Sequence, residues 1–521
     1  MRTPAPEATL VLGLDLGTTG IKALLIDVHT GIPVGEGYRA YPSSTAGDGK
    51  HEQSPADWWG ACAEVVRAAL GATSPTRVAG VGLSGHMHAV VLVDEQDRYV
   101  RPAMTWADRR CTDQVARLDT SRDRFTERCA NPLVEAFSAP KVAWLAEHEP
   151  ESLERAVRLV QPKDSLRHRL TATWGTDVTD ARGTLLYDLH REEWSAELWE
   201  LCGASPDLGP SVSKSTAVVG EVTGVAAKFT GLAPGTPVIA GAGDVACSAL
   251  GAGVVEEGIV YINAGTAAQV MTPLKAANAG AYFVFGRADS QAYLAMASVY
   301  AAGLSVDWAA RTIVGGSHAA ELSGRDLDAM ALSEVAGASG AVFVPHLLGT
   351  SVPTHDPHLR GALLGLGADQ RPSTVARAVL EGVGYACAAA ARQVTSLGEG
   401  MTAIRLGGGL ASSQVLRETL VAIADVPVHL VTRDASAVGA AMLAGIGIGS
   451  WSSSSEAAAV CVDRQELRIP SVESQKQHRA AQHKYDVVVE TLLKLGDRLN
   501  PHGRSGRALA AGHPQGQEKA G

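Results

Sequence analysis

Val11-Leu-Gly-Leu-Asp15-Leu-Gly17-Thr18-Thr19-Gly20-Ile-Lys22-Ala-Leu-Leu-Ile-Asp27 reads as two apolar strands folded around a Gly-Thr-Thr-Gly turn. A second turn near Thr30-Gly31 leads into a third strand, about Val34 to Tyr41, which makes a meander. The first tip offers backbone N–H groups and two hydroxyls, a set that can cradle phosphate oxygens. It is not a Walker loop, because no Gly-Lys-Ser/Thr follows and the next element is a strand. A plain hairpin whose glycines supply positive φ fits the same letters equally well. Asp15 stands inside an apolar strand, where an acid is unfavourable, so it needs a purpose. Holding Mg2+ through water is one.

Further along, Gly258-Ile-Val-Tyr-Ile-Asn263-Ala264-Gly265-Thr266-Ala267-Ala-Gln-Val-Met-Thr272 again gives strand, Gly-Thr tip, strand. The pattern returns, though not closely in letters, and a repeat of this kind marks a second domain built on the same plan. The boundary falls near residue 255. The 521 residues suit two domains of roughly 250 each, and 46% hydrophobic residues are enough for sizeable cores.

Net charge of −10 argues against a general nucleic-acid binder. The seven cysteines are scattered and none forms Cys-x-x-Cys, which argues against a disulfide framework or a zinc site. No signal peptide is read at Met1 to Ala8, and no apolar run reaches about 18 residues, so no membrane partner is expected. A cytoplasmic enzyme fits these totals. The stretch from about residue 500 to 521, rich in Gly, Ala, His and charge, reads as a disordered tail.

Pro237-Val-Ile-Ala-Gly241-Ala-Gly243-Asp244 is a short strand running into a glycine turn with one carboxylate at its end, followed by a small-residue helix, Val245 to Leu250. An acid there is placed like a catalytic group at the edge of an α/β sheet; capping the helix is the plainer alternative. Ser84-Gly-His86-Met87-His88 is a polar tip between two strands, better suited to gripping a substrate hydroxyl than to binding a metal, since i, i+2 is not the helical pairing of a zinc protease. Trp106 and Asp108 end another strand. They fit a sugar pocket, with the ring over C–H faces and the acid on hydroxyls, or a salt-bridged edge. Glu151 to Leu159 continues a helical run, and Ser298 to Val314 looks helical around Trp308. Ala403 to Gln414 is strand, triple-glycine turn and helix start, a geometry that lets a flat ring or a phosphate approach the backbone.

In this order the pieces resemble the FGGY carbohydrate kinases of the actin-like ATPase superfamily, over about residues 9–497. Ala136-Phe-Ser138-Ala-Pro-Lys141-Val-Ala-Trp144 is similar to the family's first signature, and Gly361-Ala-Leu-Leu-Gly365-Leu, continuing to Glu381, to its second. The 84–88 tip, Ser138-Ala-Pro-Lys141, Pro162-Lys163-Asp164 and Gly183-Thr184-Leu185-Leu186 resemble the xylulokinase branch. The resemblance implies an α/β fold of two actin-like (ribonuclease H-like) domains with a catalytic cleft between them. Residues 9–254 would carry sugar and base, and residues 255–497 the nucleotide.

It also implies ATP and Mg2+ as cofactors, a small-molecule sugar as substrate, and D-xylulose 5-phosphate and ADP as products. Another ketose, a polyol or gluconate is the alternative acceptor, and a sugar-binding regulator with weakened turnover the alternative role. A homodimer is left open. Position by position, Asp244 matches the general base and Asp15 the acid near Mg2+. Gly17, Thr18, Thr19 and Lys22 match the first phosphate hairpin, Gly265 and Thr266 the second, and Gly408 and Gly409 the adenosine turn. Met87 and His88 match the ketose grip, with Trp106 and Asp108 beside it. The chain departs from the family pattern at His86, where glutamine is usual, at Val245 for asparagine and at Ala267 for serine.

Overall fold

The computed structural model describes residues 8–499 apart from 46, 48, 278, 279, 281, 315–321, 352–355, 357, 358, 397 and 399. The tail expected beyond residue 500 lies outside the described residues. β1 (Leu10–Leu16) pairs antiparallel with β2 (Gly20–Asp27), and β2 with β3 (Pro33–Ala40). On its other side β1 runs parallel to β4 (Val78–Gly85). Beyond β4, from the sheet edge inward, lie β5 (Val218–Glu221) and β6 (Pro237–Ile239), giving the order 3-2-1-4-6-5. Past Ile239 the chain re-pairs as β7 (Ala242–Gly243) with the end of β4. β1 and most of β2 are buried, as their near-continuous apolar runs require.

The second sheet repeats the plan. β8 (Ile259–Ala264), β9 (Ala268–Leu274), β10 (Phe283–Gly286), β11 (Tyr293–Val299), β12 (Ala403–Gly407), β13 (Val428–Val431) and β14 (Arg464–Glu466) lie in the order 10-11-9-8-12-13-14. β8 is antiparallel to β9 and parallel to β12, as β1 is to β2 and β4. β13 is parallel to β12 and antiparallel to β14, as β6 is to β4 and β5. The repeat read from the two Gly-Thr hairpins is therefore a repeat of whole sheets.

Helices cover both faces of the first sheet. α1 (Pro55–Leu70) buries Trp58, Cys62, Val65, Val66 and Ala69 against it, beside Leu166 and Leu170 of α2 (Pro162–Thr171). The opposite face takes α8 (Ala435–Gly447), which comes from the far end of the chain, after α6 (Pro372–Thr395) and α7 (Gln414–Ile423). Glycines in the strands make this approach possible: a Cβ at Gly13 would lie 2.1 Å from Ala437 O, and one at Gly82 2.0 Å from Ala440 O. α8 also crosses α4 (Asp244–Gly251) at backbone contact, since a Cβ at Gly439 would lie 1.9 Å from Cys247 O. The two halves meet again where buried Asn131 clips the edge strand β10. Its Nδ2 donates to Val284 O (2.7 Å) and its Oδ1 accepts Val284 N–H (2.8 Å). All seven cysteines are free and buried.

Two helical expectations are corrected. The run from Glu151 to Leu159 is a helix only over Pro150–Arg155; Arg158–Val160 is a strand paired with Val91–Val93. Ser298 lies within β11, and the helix around Trp308 starts at Gly303. Small residues such as Ala295, Ala297, Ala301 and Ala302 carry no period that separates strand from helix, and pairing with β9 decides the matter.

Candidate active site

Asp15, Ser84 and Ala242 stand side by side on β1, β4 and β7, at the same end of the first sheet. Ser84 Oγ donates to Asp15 Oδ1 at 2.7 Å. Two residues past Ala242, Asp244 opens α4. The helix N-cap position falls to Gly243, so Asp244 is not the cap its letters allowed. Its Oδ1 accepts the N–H of Val245 at 2.8 Å. A helix N-terminus favours a carboxylate, yet burial dominates and pushes the Asp244 carboxyl up to about 7. Asp15 is also raised to about 7, by burial and by the negative charges of Asp434 and Asp244, against the opposing Ser84 bond and the Lys22 ammonium.

Asp434 was not singled out by the sequence. It caps α8, accepting Ala437 N–H at 3.1 Å, and its other oxygen takes Lys22 Nζ. Lys22 faces Asp15 across the β1–β2 ladder. Burial opposes the charge on Lys22, but Asp434 outweighs it and the ammonium is held above its usual range. Only the cap signal before a small-residue helix was visible in the letters; the ion pair across the chain was not.

The first tip is braced from three sides. Tyr41 Oη donates to Gly17 O, Gln53 Nε2 to Thr18 O (2.6 Å) and Trp106 Nε1 to Thr18 Oγ1 (2.9 Å). Thr19 is exposed at the turn. Trp106 thus joins the first tip, and the residue stays 43% exposed. Asp108 is fully buried and committed elsewhere: Arg110 forks onto it and His51 N–H donates to its Oδ2 at 2.9 Å.

Met87 borders the turn that presents Asp244, with His88 next to it in the chain. A Cβ at Gly243 would lie 2.6 Å from Met87 Cγ. His88 has φ 65°, a left-handed conformation uncommon outside glycine. Its Nδ1 meets Gly183 O, which sets that nitrogen as the donor and leaves the Nε2 lone pair to accept from a hydroxyl. Burial lowers His88 to about 3, so the ring is neutral. His86 is buried behind the tip with Trp58 edge-on at 5.7 Å. Val245 joins an apolar cluster with Met87, Met271 and Phe285, where an amide would lack partners.

The second sheet carries its own group. Gly265 N–H closes the β8–β9 tip onto Ala267 O (2.9 Å), with Thr266 exposed. The N-terminus of α5 (Gly303–Ala309) backs this tip through Gly303 N–H to Gly265 O (3.0 Å). Gly408 has φ 85°, and a Cβ there would meet Ala264 O at 2.5 Å. Gly409 opens to free space. The turn therefore sits against the end of β8 with its backbone accessible.

The geometry places a carboxyl raised by burial and a neutral imidazole at one end of the first sheet, and an exposed threonine, Thr19 or Thr266, at the hairpin tip of each sheet. Residues 10–251 match the N-terminal domain, and residues 260–448 the C-terminal domain, of the FGGY family of carbohydrate kinases. The chain belongs to that family. It is 31% identical over 457 residues to the xylulose kinase of Bacillus subtilis (strain 168), covering 86% of this chain and 90% of the relative. To the xylulose kinase of Escherichia coli (strain K12) it is 32% identical over 418 residues, covering 79% and 84%. The crystal structure of xylulose kinase from Rhodospirillum rubrum superposes with TM-score 0.85 at 27% identity, covering 94% of this chain and 100% of that one. Gluconate kinase from Lactobacillus acidophilus gives the same TM-score at 24% identity, covering 94% and 99%, a likeness of fold alone. This FGGY chain is thus a carbohydrate kinase, a phosphotransferase with the two-domain actin-like ATPase fold. Kinases of the family use ATP. Among the described residues no helix is long and apolar enough to cross a membrane.

Proposed function

We propose that the chain phosphorylates D-xylulose to D-xylulose 5-phosphate at the expense of ATP, with Asp244 as general base. The observation that carries this reading is Asp244 raised to about 7 in the turn that packs on Met87, at the sheet end that also holds Asp15 and the first tip. A base with that pKa is half ionised near neutrality, where it accepts a proton with useful driving force. The acceptor hydroxyl donates to Asp244. Its oxygen bonds to the γ-phosphorus while the bond from that phosphorus to the β,γ-bridging oxygen breaks, and ADP leaves. His88 Nε2 accepts from a second hydroxyl, and Met87 lines the apolar side of the pocket.

Thr18, Thr19 and Lys22 take phosphate oxygens from one sheet and Thr266 from the other; Gly17 and Gly265, whose N–H groups close their own turns onto Gly20 O and Ala267 O, shape the two tips, and the Gly408–Gly409 turn lies against adenosine. Trp106 supports Thr18 and lends its open face to the acceptor, and Asp108 shapes that wall from beneath through Arg110.

The residues also fit Mg2+. Asp15, Asp244 and Asp434 crowd one region with Lys22 as the nearby cation, and the rise in Asp15, due first to burial, includes the negative charges of Asp434 and Asp244. Among the described residues no three His, Cys, Asp or Glu side chains are set to hold a metal directly. An ion held largely by nucleotide oxygens and water needs fewer, with Asp15 as the protein's acid. Bound there, Mg2+ would neutralise phosphate charge.

A coupled ADP-release assay with MgATP over ketoses, polyols and sugar acids tests the function. Preferred stimulation by D-xylulose is expected. Stimulation by gluconate or a polyol alone overturns the acceptor, and binding without turnover overturns the enzyme reading.

A further inference from the structure

The glycine turn that presents Asp244 is held from below by a buried ionic cluster. Lys163 Nζ lies 2.7 Å from Asp164 Oδ1, 2.9 Å from Asp177 Oδ1 and 3.0 Å from Asp180 Oδ2, and all four side chains are buried. Asp177 also caps α3 (Val178–Arg182), and its Oδ2 accepts from Thr179 Oγ1 and Ser215 Oγ, each at 2.7 Å.

From this anchor three contacts reach the turn. Arg167 NH1 donates to Ala240 O at 3.1 Å, and Gly241 N–H donates to Ser215 O at 3.0 Å. Gly243 N–H donates to Thr179 Oγ1 at 2.8 Å. Thr179 is wholly buried. With its acceptor side taken by Gly243 and its proton given to Asp177, the hydroxyl has one orientation. Gly243 is the residue before Asp244 and its N–H belongs to the Ala242–Gly243 peptide, so this bond fixes the backbone leading into the residue that carries the carboxylate.

The same short helix carries the sugar tip. Gly183, just past α3, donates its N–H to Thr179 O (3.1 Å) and offers its carbonyl to His88 Nδ1. Met87 packs between Gly183 and Gly243: a Cβ on either would lie 2.6 Å from it. The base turn and the acceptor grip thus share one rigid mount.

We propose that Thr179, held by the Asp177–Lys163 pair, is a positioning residue for phosphoryl transfer that sets the Asp244 carboxylate against a hydroxyl held at His88. This rests on the assignment of Asp244 as base. A buried hydroxyl with both roles used is suited to such work, because a small displacement of a reacting group costs rate more than binding.

The experiment compares Thr179→Val, which keeps shape and removes the hydroxyl, with Thr179→Ser, which restores it. Kinetics use MgATP with D-xylulose, or with whichever acceptor the panel selects. Thr179→Val is expected to lower kcat about tenfold with KM for the acceptor within about threefold, and Thr179→Ser to recover most of that loss. In an Asp244→Ala background Thr179→Val is expected to add no further loss, because it acts through that carboxylate. Unchanged kcat in Thr179→Val, or a full tenfold loss persisting without Asp244, overturns the proposal. Thermal melts accompany each variant. Should Val unfold the protein, Thr179→Ala replaces it; unfolding of both beside a folded Ser variant would assign the hydroxyl to folding and overturn the proposal. High activity in Asp244→Ala alone would remove the base assignment, whereas an inactive Asp244→Ala with a normal Thr179→Val removes only the positioning role.

Discussion

Asp434 and Lys22 form an ion pair across 412 residues of chain, joining the head of α8 to the second strand of the first hairpin. The pair brings a carboxylate from the end of the second half into the site built by the first, beside Asp15. Removing its charge should relieve Asp15. Asp434→Asn is expected to move the acid limb of the kcat/KM profile to lower pH, by roughly half a unit. A pH–rate series on the variant checks this, and an unmoved limb would separate Asp434 from the ionisation that matters.

Asp244→Ala should lower kcat by at least ~10²-fold, the scale of general-base catalysis, with acceptor binding largely kept. Single-turnover kinetics with equilibrium acceptor titration separate the two.

The raised carboxyls also set the activity profile. A base with a pKa of about 7 must lose its proton to act. kcat/KM should therefore rise about tenfold from pH 6 to pH 8, as the ionised fraction does for one such group. Asp15, also near 7, makes the limb steeper if its charge is needed too.

Stability should show the opposite sign. The folded pKa of Asp244 lies above the unfolded value of 3.8, so ionisation favours the unfolded chain. The penalty is absent below about 4, grows between 4 and 7, and is constant above. Asp244→Asn is expected to raise Tm at pH 8, with the gain shrinking to nothing near pH 4. Calorimetry across that range reads it directly.

Lys163→Met leaves three buried acids with, among the described residues, only Arg167 as a paired cation. Breaking one side of such a cluster costs about 3–5 kcal/mol. Urea unfolding at neutral pH measures this, and a cost under ~1 kcal/mol would mean that the acids are protonated without the lysine.

Trp106 separates two roles for one ring. Its N–H holds Thr18 Oγ1 while its face stays open. Trp106→Phe should raise KM for ATP more than KM for the acceptor, and Trp106→Ala should raise both. Equal effects of Phe on both KM values would argue against the Thr18 bond as a support for the nucleotide tip.

The sequence by itself determined the repeat, the hairpin tips and Asp244, because each is written locally. Near-continuous apolar runs specify the strands, glycines mark the turns, and an acid beside them is conspicuous against apolar surroundings. The family signatures single out the 84–88 tip, for which a sugar grip is proposed. What only the tertiary structure decided are the partners. Asp434 meets Lys22 because Gly13 and Gly82 let α8 lie on the first sheet. Thr179 meets Gly243 because β7 re-pairs beside β4 above the Lys163 cluster. Asp108, legible as a sugar acid, is saturated by Arg110 and His51. Such pairings depend on how distant elements pack, and no local period or spacing encodes them. The pKa of Asp244 belongs with them: its identity is in the letters, but the burial that raises it is supplied by everything folded around it.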